Sequence, residues 1–158
     1  MPDPYSGRCA CGRITYAFTA APDFIANCYC QDCQRSSGSV LASYFRVDVD
    51  DFTLLSGTPR SYGYTADSGN TLVRSFCPDC GSRLVNEQLA GFPGKMFVML
   101  GSLDDPELIA PPMMEIFTAH RTSWTKPLDV PQHWARPDAD PAVVAARIAA
   151  GELPGGCG

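Results

Sequence analysis

A chain of 158 residues, 45% of them apolar, is long enough for one domain with a real core. Its 12 Lys and Arg stand against 17 Asp and Glu, a net charge of −5, which excludes a reader of phosphate backbones and a binder of anionic membrane surfaces. No stretch approaches the ~18 apolar residues of a membrane span, and the opening MPDPYSGRCACGR lacks an apolar signal region. A cytoplasmic address, where thiols stay reduced, is therefore expected. In chain order, RITYAFTA (13–20) alternates Ile14, Tyr16 and Phe18 with polar or small neighbours, the period of a half-buried strand. DFIANC (23–28), VLASYFRV (40–47), FTLLSG (52–57), RSYGYTA (60–66), TLVRSF (71–76), RLVNEQ (83–88), KMFVMLG (95–101) and MMEIFTA (113–119) are further candidate strands. Turn-rich DVDD, SGTP and ADSGN separate several of them. Short strands at this spacing predict a mainly β, antiparallel assembly rather than alternating β-α units.

Beyond the strands, HRTSWTKPLDVPQHWARP (120–137) is rich in Pro and aromatic residues and is expected to wrap the surface irregularly. DADPAVVAARIAAG (138–151) predicts a helix: Asp140 can cap it, Pro141 suits its first position, and Gly151 suits the residue past its end. Val144 and Ile148, four apart, give it one apolar face. The tail LPGGCG is expected to be flexible.

Eight cysteines in a reducing compartment point to metal binding rather than disulfides, and their fraction is below that of small disulfide scaffolds. They fall as Cys9 and Cys11; Cys28, Cys30 and Cys33; Cys77 and Cys80; and Cys157, which is expected to be a free thiol among glycines. CPDCG at 77–81 is half of a zinc knuckle, with Gly81 letting the backbone curl under the sulfurs. Structural zinc is nearly always tetrahedral, so this half needs two more ligands. Cys30 and Cys33 would complete an ordinary zinc ribbon and leave Cys9, Cys11 and Cys28 over. Cys9 and Cys11 would instead keep each cluster whole, giving one four-thiolate site and one open three-thiolate site, as structural and catalytic zincs require.

The runs GRCACGRITY, CYCQDCQRSSGS and FCPDCGSRL, with SGTPRSY and the late Trp/Pro-rich segment, resemble the glutathione-dependent formaldehyde-activating enzyme family, which includes centromere protein V. The resemblance implies a tent-like arrangement of antiparallel β-sheets around zinc, here a zinc-binding β domain over 1–136 followed by a C-terminal helix and tail over 137–158. It implies Cys9, Cys11, Cys77 and Cys80 as ligands of a structural zinc, and Cys28, Cys30 and Cys33 as the catalytic set. Many relatives carry His between the first two cysteines of the triplet; this chain has Tyr29, which bears on pocket polarity and substrate.

Three thiolates make a soft, weakly Lewis-acidic zinc site suited to accepting a fourth sulfur. Glutathione, or a similar small thiol, held there could add to formaldehyde or another small aldehyde. The expected activity is therefore a carbon–sulfur lyase of the S-hydroxymethylglutathione synthase type, with glutathione as co-substrate. Arg35 is a candidate partner for a glutathione carboxylate, and Ser36 a donor offsetting thiolate charge. His120 and His133 have no partner at ligand spacing and are read as packing or surface residues, while Trp124 and Trp134 are candidates to line a pocket. A non-catalytic zinc module that binds a protein partner is the alternative; no nucleic-acid or membrane partner is expected.

Overall fold

The computed structural model describes residues 5–65 and 69–155. Strands β1 (Tyr5–Arg8), β2 (Thr15–Phe18) and β5 (Phe52–Ser56) form a small antiparallel sheet in the order β1-β2-β5. The larger sheet contains β3 (Phe24–Cys28), β4 (Ala42–Asp48), β6 (Arg60–Thr65), β7 (Thr71–Phe76), β8 (Arg83–Glu87), β9 (Lys95–Met99) and β10 (Met114–Ile116). Its order is β10-β3-β4-β9-β8-β7-β6. Every pairing is antiparallel except that of β10, which runs parallel to β3 at the sheet edge. The mainly β, antiparallel architecture is as the strand spacing predicts, and its division into sheets is as the family resemblance implies; β1 and the parallel edge pair are additions. No helix among the described residues is long and apolar enough to cross a membrane.

The centre of the large sheet is apolar on both faces, and this positions the site. Phe45 and Val47 of β4, with Met96 and Val98 of β9, pack with Tyr16 and Phe18 of the small sheet into one core. Their neighbours one residue along, Tyr44, Phe97 and Met99, face the other way and join Cys28, Cys30 and Cys33 in a second core. Because side chains alternate along a strand, one pair of strands serves both cores.

Two α-helices complete the fold among the described residues. Helix α1 (Gln31–Ser37) carries Cys33, Arg35 and Ser36. Gly38, in the left-handed region at φ 70°, ends it, and its amide reaches the Gln34 carbonyl at 2.9 Å. Helix α2 (Pro141–Ala149) starts as expected, with the Asp140 carboxylate accepting from the Ala142 amide at 2.8 Å. Its apolar face does not enter a core: Val143 and Ile148 are 55% and 50% exposed.

The late segment is more ordered than its composition suggests. Residues around 131–135 run beside β10, with Glu115 N donating to the Pro131 carbonyl, His133 N to the Glu115 carbonyl, and Phe117 N to the Ala135 carbonyl. The start of the tail is also held. His120 Nε2 donates to the Pro154 carbonyl at 2.9 Å, and Pro154 is buried. Cys157 lies outside the described residues.

Candidate metal centres

Cys9 and Cys11 sit in the turn between β1 and β2, and Cys77 and Cys80 in the turn between β7 and β8. Both turns are built alike. Gly12 N reaches the Cys9 carbonyl and Gly81 N the Cys77 carbonyl, each at 2.9 Å, and both glycines lie at φ 76°. A side chain is strained in that conformation, so glycine follows each cysteine pair. Ser82 ties the turns together, its hydroxyl accepting from Ala10 N at 2.9 Å and lying 3.2 Å from Cys80 Sγ.

The four sulfurs lie within 4.8 Å of one another, with Cys9–Cys11 at 3.5 Å and Cys11–Cys77 at 3.8 Å. A Zn–S bond of about 2.3 Å sets a tetrahedral edge of about 3.8 Å, so this spacing fits zinc. The electrostatics reflect the crowding of the sulfurs. Ser82, through its hydroxyl and its amide, holds the Cys80 thiol down at about 5. The Arg13 amide favours the Cys11 thiolate too, yet the neighbouring sulfurs, Cys9 foremost, keep its proton on and push it up to about 12. Four thiolates this close are not mutually tolerable without a positive ion between them.

The second cluster comes from one short stretch. Cys28 ends β3, Cys30 caps α1, and Cys33 lies in the first turn of that helix. All three are fully buried, and their sulfurs also lie within 4.8 Å of one another. Cys30 Sγ takes the place of the usual capping oxygen, accepting from Cys33 N at 3.3 Å. Soft sulfur donors in a compact triad suit zinc. No fourth His, Cys, Asp or Glu joins them among the described residues, and none of the seven described cysteines is in a disulfide.

A cavity of about 350 Å³ opens beside Cys33. Its walls are mainly Phe24, Tyr44, Leu72, Phe92, Phe97 and Phe117, with Arg46, Arg74 and Arg136 among its polar residues. Phe97 meets Tyr44 and Phe92 edge-on, with ring centroids 5.5 and 5.3 Å apart. The expected pocket aromatics Trp124 and Trp134 are not among the lining residues, and Trp124 is 70% exposed. The signal for the actual walls was present in strands β4 and β9, whose apolar residues do not alternate with polar ones because both faces are covered.

Arg35 is exposed on α1 and does not line this cavity. Ser36 Oγ donates to the Asp32 carbonyl at 2.7 Å and accepts from Arg83 Nη1 at 2.5 Å. Neither His120 nor His133 joins a metal-binding cluster among the described residues.

Tyr29 points to the opposite side of β3 from Cys28, so it does not set the polarity of the cavity. Its hydroxyl donates to Glu115 Oε1 at 2.6 Å, and the Arg121 guanidinium lies 4.7 Å from its ring centroid. Glu115 is fully buried. Its Oε2 accepts from Arg121 Nη2 at 2.8 Å, Gln132 Nε2 at 2.8 Å and Leu128 N at 3.0 Å. Burial alone would raise the pKa of this carboxyl, but these donors, Tyr29 first, outweigh it and hold the group below its ordinary value. A lone Glu in a short strand gave no sequence signal for this hub.

Among curated proteins no relative matches the sequence. A crystal structure of a Rhodobacter sphaeroides protein is similar in fold, with a TM-score of 0.52 at 20% identity over 68% of this chain and 96% of that one. The model of the glutathione-dependent formaldehyde-activating enzyme family matches residues 4–120, which include both cysteine clusters. With both clusters in that matched region, the chain belongs to the glutathione-dependent formaldehyde-activating enzyme family.

Proposed function

We propose that the chain makes and breaks a carbon–sulfur bond between a small thiol, glutathione or a relative of it, and an aldehyde, at Cys28, Cys30 and Cys33. In this reading Cys9, Cys11, Cys77 and Cys80 hold a second ion whose role is to join the two sheets. The observation that carries it is the contrast in donor number, with three buried sulfurs beside a cavity and four at a turn junction. When held by the triad, zinc supplies a position at which an incoming thiol is kept deprotonated at neutral pH.

The chain's own groups do the rest. Cys33 N donates to Cys30 Sγ and takes up part of the thiolate charge. The aromatic walls exclude water, which strengthens every charge interaction inside. The sulfur electron pair forms the bond to the aldehyde carbon, and the carbonyl π pair moves to oxygen, which takes the proton the thiol gave up. The reverse returns that proton to sulfur as the bond breaks.

Cobalt-substituted protein titrated with glutathione tests this. A change in the sulfur-to-metal charge-transfer band is expected in wild type and not in Cys33→Ser. Formation and cleavage of the hydroxymethyl thioether should outpace the uncatalysed background in wild type alone. An unchanged band, and rates equal to background, would leave a non-catalytic zinc module as the reading, consistent with the exposed apolar residues of α2.

A further inference from the structure

The cavity beside Cys33 is far too large for formaldehyde alone. A two-heavy-atom aldehyde occupies a small part of 350 Å³, since a water's share of liquid volume is about 30 Å³. Its walls are also the wrong chemistry for a tripeptide with two carboxylates and an ammonium group, because most of the lining is aromatic or aliphatic. Charged groups in such surroundings must be paired.

Three arginines line the space, and two are already neutralised. Arg46 makes a two-pronged pair with Asp23, at 2.8 and 3.0 Å. Arg136 does the same with Asp138, at 3.0 and 2.9 Å. Arg74 differs. Among the described residues no carboxylate pairs with it, and its guanidinium lies 4.5 Å from the Tyr64 ring centroid. Its Nε is buried without a hydrogen-bond partner. A buried donor left without a partner is costly, and an incoming acceptor relieves that cost. The planar fork of arginine matches a carboxylate through two parallel hydrogen bonds.

We propose that this cavity takes an aldehyde that carries an aromatic body and one carboxylate, with Tyr44, Phe92, Phe97 and Phe117 packing the body and Arg74 pairing with the carboxylate. The proposal rests on the reading that sulfur reacts at the adjacent triad, and it names the second reactant. One positive group and one apolar chamber select a singly charged aromatic molecule. Neutral analogues lose the ion pair, and multiply charged ones leave a charge unpaired.

The test separates the pocket from the sulfur chemistry by using probes with neither thiol nor aldehyde. Calorimetric titration of the metal-loaded protein compares 3-phenylpropanoate with 3-phenylpropanol, which share a body and differ in the charge. Wild type is expected to bind the acid about tenfold more tightly than the alcohol, as a charge-assisted pair requires. Arg74→Gln should bring the acid down to the alcohol's affinity, and Arg74→Lys should restore part of the preference through charge without the fork. Equal affinities in wild type, binding of neither probe, or an acid preference that survives in Arg74→Gln would overturn the proposal. The wild-type comparison holds even if a variant fails to fold. The cobalt spectrum reports sulfur coordination independently, so a lost acid preference with an intact thiol response condemns only the pocket assignment. The opposite result condemns the sulfur reading and its aldehyde.

Discussion

The two cysteine clusters are opposites in how the chain builds them. The first joins turns that lie more than sixty residues apart in sequence, and half of its sulfurs are exposed: Cys11 and Cys80 are, Cys9 and Cys77 are not. The second comes from a six-residue stretch and is wholly buried. Exposure therefore says nothing about which site is coordinatively open; donor number does. A set spanning two sheets is suited to holding a fold together. A local set beside a cavity is already held by its own strand and helix, and is suited to binding something else.

The largest effect should come from breaking the long-range cluster. Structural zinc contributes roughly 10–16 kcal/mol of apparent binding free energy, comparable with or above the 5–15 kcal/mol by which domains are stable. Cys77→Ser is expected to yield insoluble or unfolded protein. A cooperative thermal unfolding transition near that of wild type would break the contrast.

Cys33→Ser is the matching change in the local cluster. Thiol binding should disappear while the far-ultraviolet circular dichroism spectrum stays native and Tm falls by only a few degrees. An equal collapse in both variants would mean that each cluster holds the fold, and the division of roles would fall.

Metal competition sharpens the same difference without mutation. Three thiolates hold zinc less tightly than four, so a chromophoric chelator should remove one equivalent first, with loss of the thiol response. The second equivalent should leave only with unfolding. Cys33→Ser should lack the first phase. Two equivalents lost together would count against unequal sites.

How much of this was legible follows from the range of each interaction. Each half of the four-sulfur set announces itself locally as a cysteine pair followed by Gly12 or Gly81, and the C-terminal helix carries its own cap in Asp140 and Pro141. Helix α1 did not announce itself. Seven residues are too few for a helical period, and its cap is a cysteine rather than Ser or Asp. The parallel β10–β3 pair, the Glu115 hub and the Arg74 environment depend on residues brought together only by tertiary folding. Trp124 and Trp134 do not line the cavity, because residue type predicts aromatic packing but not which cavity receives it.

Behind the triad the support is polar, whereas the first cluster rests largely on backbone turns. Glu115→Gln, which leaves Arg121 facing a neutral amide, should cost about 3 kcal/mol. The sign with pH follows from the lowered carboxyl pKa. The stabilisation is fully present above the unfolded value near 4.5 and is lost as pH falls below it towards the folded pKa. Wild type should therefore shed stability on that acid limb, and Glu115→Gln should shed less of it. Parallel acid profiles for the two proteins would remove Glu115 from this role.

The smallest effect on thiol binding is expected of Tyr29→Phe, and it tests whether the back of β3 communicates with its front. The lost hydroxyl leaves Glu115 Oε1 with the Asn27 amide, at 3.5 Å, as its remaining donor here. Oε2 keeps Arg121, Gln132 and Leu128 N. A hydrogen bond to a charged group is worth about 1.5–3 kcal/mol, or roughly 3–12 °C in Tm for a chain of this size. The ring itself remains, so its stacking under Arg121 and the packing of β3 are kept. Cys28 packs with Cys30 and Cys33 in the core beside the cavity while the Tyr29 hydroxyl reaches Glu115, so glutathione affinity measured by the cobalt spectrum should stay within about twofold of wild type. A larger change would mean that the residue standing where many relatives carry His acts on the triad through the strand. The two sides of β3 would then have to be treated as one site.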